Sequence, residues 1–195
     1  AQTRFQFPLE PSARNLSPKD LQPFRFDGLN SIELVFVNGF YAAGLSGAQV
    51  PQHGCILGSL KEFLTQEPGL AEGHFSRYAP SDRNSFAALN TALSQDGAFL
   101  YLPDGMKLDQ PVHMIFISAP ADGDPFIIQP RTLIVAGKNT KAALIESYVA
   151  LSEGRYFTNT VTEVVLDDGA SVDHYQLEGE APHAFHIGTT HVHHG

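Results

Sequence analysis

Gly105, Gly137 and Gly169 stand 32 residues apart, twice in succession, and this spacing constrains the fold more than any other feature of the chain. Each follows an apolar pair (Tyr101-Leu102, Leu133-Ile134, Val165-Leu166), and each precedes another β-rich run. Two of the three carry Asp directly before the glycine. A fixed period of this size is what stacked coils produce, because each coil buries its apolar face only against its neighbours. Glycine suits the corner between coils, where a tight turn needs positive φ. Short β-rich segments run over 98–102, 112–117, 126–128, 132–135, 142–149, 156–166, 172–177 and 184–187, separated by turn residues. Such a series forms a sandwich, a barrel or a solenoid, and the period favours the solenoid.

Upstream of these segments the pattern differs. Residues 1–30 carry Pro8, Pro11, Pro18 and Pro23 and read as an extended lead-in. Residues 31–41 read as a strand, with Ile32, Leu34 and Phe36 on one face and Asn38-Gly39 as the turn. Ile56, Leu60, Phe63 and Leu64 follow helical spacing, and Pro68-Gly69 stops that run. A second helix is expected from an N-cap at Ser81 or Asp82, with Phe86, Leu89 and Leu93 inward. The expected organisation is therefore a capping region over 1–97 and a mainly β, parallel β-helix over 98–195. An open coil leaves a row of unpaired backbone groups, so the β-helix is expected to continue beyond Gly195 or to self-associate through that edge.

Charge and composition exclude several functions. A net charge of −9 argues against a general nucleic-acid binder. Glu163, Asp167, Asp168, Asp173, Glu178 and Glu180 read as a solvated acidic surface. Cys55, the single cysteine, cannot form an internal disulfide. No apolar run is long enough for a bilayer, and no leader opens the chain, so a cytoplasmic location is expected.

Candidate chemistry is sparse. Six of the nine histidines lie between His174 and His194. His191 and His193 share one side of a strand and could ligate a metal ion if His186 or Glu178 supplied a third ligand, as in a cupin-like metal-dependent enzyme. The plainer reading is surface histidines. Gly44-Leu45-Ser46-Gly47 lacks the spacing of a nucleophile elbow and reads as a loop. Cys55 has His53 two residues away, but at the start of an amphipathic helix it reads as a buried structural thiol. Asp167 and Asp168 belong to a turn. No catalytic set is complete, so a non-enzymatic scaffold is expected.

Several segments in order resemble the SufB/SufD family of iron–sulfur cluster assembly proteins. They are Leu34-Val35-Phe36-Val37-Asn38-Gly39-Phe40-Tyr41, the run Phe86 to Ala92, Asp96 to Gly105, Pro111-Val112-His113, Tyr156 to Thr160, and Leu166 to Ala170. The SufD branch fits better, since SufB-like cluster-ligand cysteines have no counterpart here. The resemblance implies a right-handed parallel β-helix that pairs with a SufB-like subunit. It also implies coupling to a SufC-like ATPase, in a complex that builds a transient iron–sulfur cluster. Family members are much longer, and the interface histidine and the SufC-docking helices belong to parts with no match here. No catalytic, cofactor-binding or metal residue is therefore carried over, and one cysteine cannot hold a cluster that normally needs about four such ligands.

Overall fold

A computed structural model describes residues 5–7, 16–47, 54–75, 77–79, 82, 84–119 and 125–195. The elements are β1 (Ile32–Val37), β2 (Phe40–Tyr41), β3 (Ile56–Ser59), α1 (Leu60–Gln66), α2 (Pro68–His74), α3 (Ser85–Leu93), β4 (Ala98–Leu102), β5 (Val112–Ser118), β6 (Phe126–Ile128), β7 (Arg131–Ala136), β8 (Lys141–Ala150), β9 (Tyr156–Leu166), β10 (Ser171–Gly179) and β11 (Phe185–His194). They make two facing sheets, ordered β10-β8-β5-β1-β2 and β11-β9-β7-β4-β3, with β6 paired to β9. Strands from successive coils are parallel, and among the described residues only the β1–β2 hairpin and the β3–β4 pair are antiparallel. The chain is thus mainly β and winds as a solenoid.

The two sheets close because apolar residues alternate along each strand. One set points inward: Leu34, Phe36, Leu100, Met114, Phe116, Ile134, Leu144 and Val164 share one core. The other set points outward and is covered. Val35, Val37, Ile115 and Ile117 lie under Leu21 and Phe24 of the lead-in, which forms a 3₁₀ turn over Gln22–Phe24. Phe99, Leu133 and Val135 lie under Leu60 and Phe63 of α1. The segment before residue 98 also places β1 and β3 within the two sheets, so it extends them as well as covering them.

The corners revise the glycine argument. Leu102, Ala136 and Leu166 are register partners, which makes successive rungs 34 and 30 residues apart. Gly105 and Gly169 sit at the turn with φ of 74° and 70°, but the equivalent position in the middle coil is Asn139, with φ 55°. Asparagine tolerates this left-handed region better than other residues with a Cβ. Gly137 lies two residues earlier and is needed for a different reason. A Cβ there would run into the side chain of Asp104 and come within 2.9 Å of its backbone nitrogen.

Local signals explain the other departures from expectation. Ile56 belongs to β3, not to a helix, and Cys55 precedes that strand. The helix begins at Leu60 because Ser59 caps it: the Ser59 hydroxyl accepts from the Glu62 backbone N–H at 3.1 Å. Pro68 ends one helix and starts the next, since proline is pre-set for a first helical turn. The third helix is capped by Asn84, whose Oδ1 accepts from the N–H groups of Phe86 and Ala87. The expected cap Asp82 lies outside this helix, and Ser81 lies outside the described residues, as do Pro8, Pro11 and His53. Phe86 is exposed, and Ala87 and Asn90 take the inward positions.

Candidate functional site: the polar lumen and the final rung

Three inward ladders of the first sheet change character along the solenoid. Ile32, Val112, Leu144 and His174 are successive rungs of one; Leu34, Met114, Glu146 and Gln176 form the next; Phe36, Phe116, Tyr148 and Glu178 form the third. Each begins apolar and ends polar. Phe36 stacks on Phe116 at 4.7 Å, Phe116 on Tyr148 at 4.9 Å, and the Tyr148 ring meets His186 edge-on at 4.8 Å. The early coils are therefore plugged, and the later coils enclose a polar lumen.

Glu146 is fully buried in that lumen. Its carboxylate accepts from the Tyr148 hydroxyl at 2.8 Å and from the Thr162 hydroxyl at 3.0 Å. His174 Nε2 stands 3.5 Å from Glu146 Oε1, and the carboxylate raises the histidine pKa against the opposing effect of burial. The Tyr148 phenol is pushed well above its ordinary range by burial first and by the Glu146 charge second. Across the lumen, His186 Nδ1 pairs with Glu180 Oε2 at 2.8 Å, and its Nε2 lies 3.8 Å from Glu178 Oε1. The Thr158 hydroxyl donates to the other Glu180 oxygen at 2.6 Å.

The structure separates the histidines that the sequence grouped. His191 and His193 pair with Glu163 and Val165 on the outer face, and the His193 ring lies 4.8 Å from Tyr78. His186 differs in strand parity, faces the lumen, and cannot join them around one ion. Among the described residues no group of three His, Cys, Asp or Glu converges on a metal-sized site, which removes the geometric basis for a cupin-like centre. Cys55 is buried, and burial pushes its thiol up to about 11. Ser46 of the glycine-flanked loop holds backbone, accepting from Val35 N–H and donating to the Ala42 carbonyl.

The acidic surface also needs correction. Glu163 is fully buried on the outer face of the second sheet, because Arg131 neutralises it. Arg131 Nε and Nη2 donate to Glu163 Oε2 at 2.9 and 2.7 Å, and Nη1 donates to Asn90 Oδ1 and Thr91 Oγ1 of α3. Glu163 Oε1 accepts from the N–H groups of Tyr78 and Ala79. Asn90 Nδ2 donates to the carbonyls of Pro130 and Asn159, and Asn159 Nδ2 donates to the Phe86 carbonyl. This clasp fastens the helical segment to the coils. Sequence reasoning missed it, although a lone Arg and a lone Glu one solenoid period apart in apolar strands were a usable signal. Asp168 matches expectation, forming an exposed turn contact with Lys138 at 3.2 Å.

Among the described residues, β10 and β11 end their sheets and pair on one side only. Their outer rung exposes Tyr175 by 57%, Phe185 by 65% and Val192 by 54%, whereas the equivalent rungs of β8 and β9 are largely covered. No helix among the described residues is long and apolar enough to cross a membrane.

Parallel rungs in register, clasped to a helical segment and polar within, define a parallel β-solenoid. Comparison with known proteins narrows the class. Residues 2–114 match the SufBD protein N-terminal region, and residues 116–195 match the SufBD core domain of the SUF system for FeS cluster assembly. An iron–sulfur cluster assembly SufBD family protein of Synechocystis sp. is 30% identical over 80% of this chain and 36% of its own length. A chloroplastic family member from Arabidopsis thaliana is 32% identical over 64% of this chain and 22% of its own. One from Staphylococcus aureus is 26% identical over 72% and 30%. The chain belongs to the SufBD family of iron–sulfur cluster assembly proteins and spans about a third or less of the length of these relatives.

Proposed function

We propose that this chain is the N-terminal wall of a SufD-like scaffold, which supports iron–sulfur cluster assembly through a SufB-like partner and a SufC-like ATPase. The observation that carries the reading is the register-stacked parallel solenoid with its clasped helical segment, in a chain whose residues match the SufBD N-terminal region and core domain. The cluster is then cargo of the complex, built where partner subunits supply ligands, and this chain contributes shape and attachment without catalysis. Such a complex would work in the cytoplasm.

Co-expression of the complete reading frame with SufB-like and SufC-like partners tests this. A stable complex that accumulates iron and sulfide under anaerobic conditions is expected. Failure of the three chains to co-purify overturns the reading.

A further inference from the structure

The polar ladders leave one problem of charge. Glu146 has no exposure, and its two donors, the hydroxyls of Tyr148 and Thr162, carry no charge. An ionised carboxylate buried with neutral donors alone costs several kcal/mol, roughly, unless a cation or a proton joins it. The group placed to do this is His174, one rung further along, at 3.5 Å. That separation makes the contact an ion pair rather than an aligned hydrogen bond.

We propose that Glu146 and His174 form a proton-binding site that ties the attachment of β10 to β8 to pH. Glu146 stands on β8 and His174 on β10, so the proton is held between two coils and its presence fastens one to the other. The other ionisable groups described in the lumen are already paired: Tyr148 donates to Glu146 itself, while His186 pairs with Glu180 and lies near Glu178. β9 contributes only the hydroxyls of Thr158, Thr160 and Thr162 to this space. The His174 side chain is 18% exposed, which gives the proton a route to solvent. The sign follows from the raised histidine. The folded chain keeps a proton that the unfolded chain has released, so the attachment is complete below the unfolded value of 6.5. It weakens as the pH rises through the elevated folded value. The pairing joins two coils of this chain, so it is read without a partner.

Histidine NMR titration of the complete polypeptide, with amide hydrogen exchange of β10 as a second readout, tests the proposal. His174 is expected to titrate above the ordinary histidine value of 6.5. Glu146→Gln keeps an acceptor for both hydroxyls and removes the charge, and it should lower the His174 midpoint by about one unit, roughly a tenfold loss of proton affinity. In the unsubstituted protein, β10 amides corrected for intrinsic rates should open more readily as pH rises from 6.5 to 8, and Glu146→Gln should abolish that trend. A His174 midpoint at or below 6.5, or one unmoved by Glu146→Gln, overturns the proposal. If Glu146→Gln does not fold, His174→Gln replaces it, and a pH trend in β10 exchange that survives His174→Gln is equally fatal.

Discussion

Arg131→Met removes the cation from the clasp and leaves the Glu163 carboxylate buried against two backbone N–H groups. Four side-chain hydrogen bonds disappear, two to Glu163 and one each to Asn90 and Thr91. Removing one partner of a buried ion pair typically costs about 3–5 kcal/mol, because the other charge stays behind in a poorly solvating place. With a urea dependence of about 2 kcal/mol per molar, the midpoint should fall by roughly 1.5–2.5 M. The companion change Glu163→Gln sharpens the test through its sign. Alone it weakens a charged pair and destabilises. In the Arg131→Met background it relieves an uncompensated charge, so it should recover about 1–2 kcal/mol of the loss. Urea unfolding of the four proteins reads both quantities. A cost below about 1 kcal/mol for Arg131→Met refutes the reasoning, as does Glu163→Gln destabilising both backgrounds alike.

Other substitutions probe the corners, the buried histidine and the thiol. A Cβ on Gly97 would overlap the Arg131 carbonyl, so Gly97→Ala should cost about 3 kcal/mol and lower the melting temperature by roughly 6–12 °C in a scanning calorimeter. Gly105→Ala meets no neighbour within 4 Å and pays only for its positive φ, about 1 kcal/mol, whereas Gly137→Ala must displace Asp104 and should cost more. Denaturant midpoints reversing that order would show that the two glycines have been confused. Burial holds His113 down to about 4, where its neutral ring pairs with Ser147 Oγ at 2.8 Å. Between pH 6.5 and 4 the unfolded chain therefore binds a proton that the folded chain refuses. Stability should fall with pH across that window by about 3 kcal/mol, and His113→Gln should flatten the dependence measured by urea titration. With its thiol pushed up to about 11, Cys55 should react with an aromatic disulfide at pH 8 about a hundredfold more slowly in the folded than in the unfolded chain.

The pH behaviour of the two sheet-bound histidines shows why burial alone does not predict a titration. His113 faces outward from the first sheet beneath Phe26, and desolvation outweighs the pull of the neighbouring Glu33 carboxylate, which is itself paired with Arg25, so its value falls. His174 faces Glu146, and the carboxylate wins over desolvation, so its value rises. The stabilities tied to the two therefore run in opposite directions with pH, one failing in acid and the other in base.

Much of the fold was legible in the chain because it depends on local alternation. Leu34 and Phe36, or Ile134 and Ala136, point to one side whatever the tertiary context, and the turn residues after Leu102 and Leu166 mark where a coil must bend. The period was readable too, though its uniform value of 32 averaged a rung of 34 with one of 30. The glycines that suggested it perform two tasks. Gly105 and Gly169 accept positive φ, a property of the residue itself. Gly137 makes room for Asp104, a residue 33 positions away, and only the stacking of coils creates that need.

The site was far less legible, because its chemistry depends on which rung lies above which. By itself the sequence pointed to a coil of short strands at a period near 32, and its motifs resembled those of the iron–sulfur assembly proteins. It offered a run of histidines near Gly195 as one group. Strand parity then sent His186 into the lumen and His191 and His193 to the outer face. Register set Glu146 beside His174 and brought Arg131 to Glu163, pairs separated by 28 and 32 residues. A charge can be buried only where an opposite charge, a proton or donors meet it, and that meeting is fixed by the winding of the solenoid, not by neighbours along the chain.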